Sequence, residues 1–158
     1  MCSSGRRGTG RGLGAEALLE LARTPNIAGV KQAVGGIDAD TLRVLAASDD
    51  RFALLGGDDP FLLPLTLMGA TGAIAASAHV RTHDFVRMID AGLRGDVESG
   101  RALAEALLPV VLALFAEPSP AVIKAALHAA GRIPTAAVRM PLAPASAGAV
   151  RAALAAIG

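Results

Sequence analysis

Three short apolar runs, residues 27–31, 52–55 and 72–76, recur about 20 residues apart. Each leads into a loop rich in glycine or polar residues, and an amphipathic helical stretch follows. Such alternation constrains a chain strongly, because a short strand that is apolar on both faces must be covered. A parallel sheet with crossover helices meets that need. Residues 15–23 form a leading helix whose stripe is Ala17, Leu18, Leu19 and Leu21. Asp38 is the expected N-cap of a helix over 39–47, with Leu42, Leu45 and Ala46 on its buried face. Pro60 suits the first turn of a helix over 60–67, and Thr82 is the expected cap of one over 83–93.

After Gly95 no strand pattern occurs. Residues 96–116 read as a long Ala/Leu-rich helix, and Pro118 and Pro120 break it. A helix over 121–130 closes at Gly131, prolines punctuate a loop, and Ser146 caps a last helix to Ile157. The expected organisation is a basic, glycine-rich arm over 1–14, taken as disordered, an α/β unit over 15–94 and a helical region over 95–158. The arm lacks the apolar core of a secretory signal.

Composition excludes several functions. The net charge is +1 and the chain has no Trp or Tyr, so neither a basic field nor aromatic stacking platforms point to nucleic acid. Mean hydropathy is +0.49, and residues 60–80 carry no charged side chain except the histidine at 79. Two prolines and two glycines divide that stretch into a helix, a turn and a strand, so no membrane span is expected. Cys2 is the lone cysteine, which leaves no internal disulfide and suggests the cytoplasm. His79 and His83 have helical metal-ligand spacing but no third ligand, so no metal site is expected. Residues 69–77 lack the glycine pattern and lysine of a phosphate loop.

Lys31 is the residue to which chemistry attaches. It is one of two lysines, the other being Lys124, and it stands where an apolar strand runs into its loop. Loops at strand ends are where (β/α) enzymes hold their reactive groups. A lysine in a dry site can lose its proton and form a Schiff base with a carbonyl. The alternative is a lysine that snorkels to water from a strand end. Gly56-Gly57-Asp58-Asp59 is either a backbone ligand loop or a plain turn, with Asp59 capping the next helix. Glu117 is a candidate cap for the helix that begins near residue 121.

Five segments together resemble the dihydrodipicolinate synthase / N-acetylneuraminate lyase family. They are NIAGVKQA around Lys31, LLGGDD at 54–59, GATGAIA at 69–75, FAEPSPAVIKAAL at 115–127 and Val138-Arg139-Met140-Pro141-Leu142. The resemblance covers about residues 9–157, and its strength lies in the ordered set rather than in any one motif. It implies the C-terminal half of a pyruvate-dependent class I aldolase. The fold would be a partial (β/α)8 TIM barrel, its last three strands and their helices, followed by a helical tail. Lys31 would be the imine lysine. Ile74, through its backbone, and Gly57, at the end of the preceding strand, would contact pyruvate. No cofactor or metal is called for. The partners would be pyruvate, an aldehyde and further copies of the chain. The expected activity is synthesis of a lysine precursor from pyruvate and aspartate semialdehyde. A sugar-acid aldolase of the same family, or a non-catalytic truncated remnant, are the alternatives.

The chain departs from that pattern in having no tyrosine to relay protons. Gly8 stands where the family has an arginine before a Thr-Gly pair, with Arg6 and Arg7 out of register. A full barrel takes about 250 residues, against 158 here, so impaired activity is expected.

Overall fold

The computed structural model describes residues 2–5, as backbone, and residues 12–158. Four parallel strands form one sheet in the order β1-β2-β3-β4. They are β1 (Cys2–Gly5), β2 (Gly29–Ala33), β3 (Ala53–Gly56) and β4 (Gly72–Ala73). Helices α1 (Ala15–Ala22), α2 (Ala39–Ala47) and α3 (Leu62–Leu67) connect them, and α4 (Thr82–Leu93) follows β4. Helices α5 (Val97–Leu114), α6 (Ala121–Ala129) and α7 (Ala147–Ile157) complete the chain.

The strand at residues 2–5 lies within the stretch expected to be a disordered arm. It pairs with β2, Ser3 opposite Lys31, and so adds a fourth strand to the expected three. Composition could not signal it, since Cys-Ser-Ser-Gly carries no apolar alternation and owes its pairing to the neighbouring strand. Residues 6–11, with Arg6, Arg7 and Gly8, lie outside the described residues. β4 covers two residues of the expected five, and a short turn of 3-10 helix, Ser77–His79, takes up the chain soon afterwards.

Side-chain alternation divides the sheet into two faces. Val30 and Leu54, 0% and 2% exposed, pack with Leu18 of α1, Val44 of α2 and Leu65 of α3. Each such fully buried side chain contributes about 1.5–3 kcal/mol relative to its exposed state. Lys31, Ala33 and Leu55 fall on the opposite face and are half-buried. The helices therefore lie over one face of the sheet, as in a barrel wall. A second cluster joins Leu62 and Leu63 to Phe85, Met88, Leu107 and Val111. A third, built on Val110, Leu114, Val122, Ile123 and Ala153, reaches back to Ala76 and Val80. The helical region is thus packed onto the segment that leaves β4. Arg132 Nη1 adds a hydrogen bond to the carbonyl of His79, 2.5 Å.

Three helix starts obey their side chains. Asp38, Asp96 and Ser146 each accept a hydrogen bond from the backbone amide three residues on, those of Thr41, Ser99 and Ala149. Thr82 does not cap α4 as expected. It is the first helical residue, and its hydroxyl donates to the carbonyl of Ala78, 2.6 Å. Glu117 caps no residue of α6. Its carboxylate accepts from the amide of Ser146, the N-cap of α7, and that bond holds its pKa below the ordinary value. Among the described residues no helix is long and apolar enough to cross a membrane.

Asp38→Ala removes a cap that serves both the Thr41 amide and the Thr41 hydroxyl. Chemical denaturation is expected to show a loss of about 1–2 kcal/mol. Asp96 has its pKa lowered, first by hydrogen bonding from Ser99 and further by the nearby Arg94 charge. A folded-state pKa below the unfolded one means stability present above the unfolded value and lost as pH falls through the lowered value. Acid titration of Asp96→Asn is therefore expected to show a shallower loss of stability below the ordinary carboxylate range than the parent chain.

Candidate functional site

The candidate site lies on the face of the sheet away from the helices, at the C-terminal ends of β2, β3 and β4. Lys31 is aligned with Leu55 on β3, and Leu55 with Gly72 on β4. The amide of Gly57 donates to the carbonyl of Gln32, 2.8 Å, and that of Ile74 to the carbonyl of Gly56, 2.8 Å. These two bonds continue the ladders past the regular strands, so the chain after β3 and the chain after β4 are held beside Lys31.

Gly57 carries the tightest constraint. A Cβ there would stand 2.7 Å from Lys31 Cε, 2.9 Å from Ala33 Cβ and 3.0 Å from the Gln32 carbonyl. No side chain fits in that space. The lysine stem therefore runs over the backbone at Gly57, and only glycine permits it. Lys31 and Gly57, singled out separately in the sequence, are one contact. Ile74 sits one hydrogen bond further along the same face.

Polar bonds on the helix side fix the strand that bears Lys31. Gln32, 3% exposed, donates from Nε2 to Thr41 Oγ1, 2.8 Å, and Thr41 Oγ1 donates to Asp38 Oδ1, 2.8 Å. This chain ties β2 to the N-terminus of α2 directly behind the lysine. Two aspartates brace the loops at the strand ends. Asp58 Oδ2 accepts from the amide of Gly35, 2.7 Å, where glycine takes φ 87° in the left-handed region. Asp59 is 4% exposed, and its Oδ2 accepts from the amide of Ser77, 2.7 Å. It opens a short 3-10 turn, Asp59–Phe61, but its carboxylate braces the segment after β4 instead of capping the helix.

Sequence reasoning named Asp38, Asp58 and Asp59 but not Gln32, Thr41 or Ser77. A glutamine in an apolar strand was the available signal, since a buried amide needs a partner. Gln32 Oε1 and Ser77 Oγ are buried with no hydrogen-bond partner among the described residues.

Chemically, this face offers one half-buried primary amine, a glycine backbone beneath its stem and backbone groups of 57 and 74 at its side. A concavity of about 470 Å³ lies elsewhere, along residues 22–28 and Arg51 at the opposite strand ends. Lys31 itself is half-buried. His79 is exposed. Among the described residues no group of three or more His, Cys, Asp or Glu is placed to hold a metal ion.

Comparison with known proteins bears on this wall. The model of the dihydrodipicolinate synthetase family matches residues 6–157. The 4-hydroxy-tetrahydrodipicolinate synthase of Neisseria gonorrhoeae is 40% identical over 146 residues, covering 90% of this chain and 50% of that protein. That of Halalkalibacterium halodurans is 36% identical, covering 86% of this chain and 45% of that protein. Among solved structures, dihydrodipicolinate synthase from Acinetobacter baumannii, complexed with pyruvate, superposes with a TM-score of 0.90 at 28% identity. It covers 98% of this chain, which covers 54% of it. The enzyme from Cyanidioschyzon merolae with lysine bound superposes at 0.91 and 30% identity, with 98% and 52% covered. The chain spans about half the length of the relatives it matches, as a partial (β/α) barrel with a helical extension must. It belongs to the dihydrodipicolinate synthetase family.

Proposed function

We propose that this chain carries the imine-forming wall of a pyruvate-dependent lyase of the 4-hydroxy-tetrahydrodipicolinate synthase type, with Lys31 as the nucleophile. The observation that carries the reading is the fit of the Lys31 stem over Gly57, in a chain related to enzymes of that name. In the reaction the neutral Lys31 Nζ attacks the ketone carbon of pyruvate. Water leaves and the imine forms, which is covalent catalysis by a lysine amine. The imine makes the methyl protons acidic. One leaves to give an enamine, and the enamine carbon bonds to the carbonyl carbon of aspartate semialdehyde.

Gly57 and Ile74 would contact the pyruvate unit through their backbones. The substrates would be pyruvate and an aldehyde, with no metal or cofactor in the cycle, in a cytoplasmic homo-oligomer. Proton transfer to and from the imine needs a second acid-base group within hydrogen-bond reach. The chain has no tyrosine, and no side chain described here is placed for that role. Turnover by the chain alone is therefore expected to be weak, while imine formation needs only the lysine.

Incubation with pyruvate and borohydride, then intact mass and peptide mapping, tests the reading. A reduced adduct on the peptide containing Lys31 is expected, absent in Lys31→Ala. Gly57→Val, whose side chain displaces the lysine stem, is expected to cut trapping about 10-fold or more, since misplacement by about 1 Å costs that much or beyond. An adduct that survives in Lys31→Ala, or none on folded protein, would refute the imine role. Strong turnover by the purified chain would refute the expected impairment.

A further inference from the structure

We propose that Gln32 is a positioning residue for Lys31: its side-chain amide, anchored behind the sheet by Thr41 and Asp38, sets the turn of β2 that lays the lysine stem over Gly57. Its chemistry rests on the imine reading above, while the placement of the amine can be read by itself. Lys31 and Gln32 are successive residues of β2, so their side chains leave opposite faces of the sheet. Any rotation of the strand about its own axis moves both together. What grips Gln32 on the helix side therefore aims Lys31 on the other.

Apolar packing does not explain a glutamine at this place. Val30, two residues back on the same face, packs with Leu18, Val44 and Leu54, and Gln32 is buried on that face too. Its Oε1 meets no hydrogen-bond partner among the described residues, and a desolvated amide oxygen opposes folding. Leucine or methionine would fill the volume without that penalty. What the amide supplies, and an apolar side chain could not, is one directed bond from Nε2 to Thr41 Oγ1, 2.8 Å. Thr41 is fully buried and held twice by Asp38, whose Oδ1 accepts from its amide at 2.9 Å and its hydroxyl at 2.8 Å. The anchor point is thus the capped N-terminus of α2, not a mobile side chain.

The backbone of the same residue reaches the site. The Gln32 carbonyl accepts the Gly57 amide, 2.8 Å. It lies 3.0 Å from the place a Gly57 Cβ would take, against 2.7 Å for Lys31 Cε. One residue therefore has its side chain tied to α2 and its carbonyl tied to the glycine under the lysine. The loop from β2 to α2 is secured at its near end as well, since the Gly35 amide donates to Asp58 beyond β3. With the glutamine anchored, its peptide group has little freedom to turn, and the Gly57 backbone and the Lys31 stem keep their separation. Released, β2 gains freedom to twist, and a contact this close has no slack to absorb the change.

Magnetic resonance of the chain with lysine carbon-13 enriched at Cε reads the placement directly. The chain has two lysines, Lys31 and Lys124, so two signals are expected, and Lys31→Ala assigns them. Lys124 donates to the Ala137 carbonyl in the helical region and serves as the internal reference. Gln32→Met keeps the volume and removes the bond. Thr41→Val removes the hydroxyl and leaves the amide that Asp38 caps. In each variant the Lys31 signal is expected to shift while that of Lys124 stays. The rate of borohydride trapping with pyruvate is expected to fall about 10-fold or more, the scale of a misplacement near 1 Å. Both changes break the same bond, so the double variant is expected to be no slower than the slower single one. Thr41→Ser keeps the hydroxyl and is expected to retain the parent's signal and rate. Circular dichroism checks folding, and should Gln32→Met not fold, the contrast of Thr41→Val with Thr41→Ser carries the test. A folded Gln32→Met that melts earlier, yet matches the parent in Lys31 signal and trapping rate, would overturn the proposal. So would additive losses in the double variant, or a Thr41→Ser chain as slow as Thr41→Val. The imine reading fails separately: a parent chain that gives no adduct refutes that reading, and the Lys31 signal still decides the placement.

Discussion

The close approach of β2 and β3 is the interaction on which the rest of the site depends. The two strands run parallel, with Lys31 aligned to Leu55. Their backbones meet so tightly that a Cβ on Gly29 would lie 2.3 Å from the Ala53 carbonyl, and one on Gly57 2.7 Å from Lys31 Cε. Glycine at each end of the pair lets the strands converge. A one-residue slip of this register would turn Lys31 into the apolar layer under α1 and α2 and bring Val30 to the open face. Burying an unpaired ammonium there is costly enough to exclude the slip.

Polar braces on both sides of the sheet hold that register where apolar packing cannot reach. The Gln32–Thr41–Asp38 chain secures β2 from behind, while Asp58 and Asp59 tie the ends of β2, β3 and β4 to one another. All are short bonds, and those of Gln32 and Asp59 are buried, so a lost partner would leave a desolvated polar group. The helical region supports the same end from outside, through Val80 and Ala76 in its core and through Arg132 on the carbonyl of His79. The Lys31 amine is thereby mounted on a braced wall of the sheet.

Lys31 is half-buried on the face of the sheet away from the helices. Excluding water from a lysine is what makes it a competent nucleophile.

Much of this was legible in the residues themselves. The helix over 39–47 with its Asp38 cap, the cap at Ser146 and the order of strands and helices all follow from local chemistry. Periodicity, proline, glycine and short polar side chains act within a few residues of themselves. Lys31 and Gly57 stood out one at a time, yet their contact joins residues 26 positions apart and exists only once β2 and β3 align. The strand at Cys2–Gly5 has no pattern of its own, and Thr82, Glu117 and Asp59 each had a plausible local cap but found another partner. Local propensity and capping belong to the sequence. Register, the brace a carboxylate selects and the side of the sheet on which an amine emerges belong to the tertiary structure, because they depend on segments that meet only when the apolar face is buried.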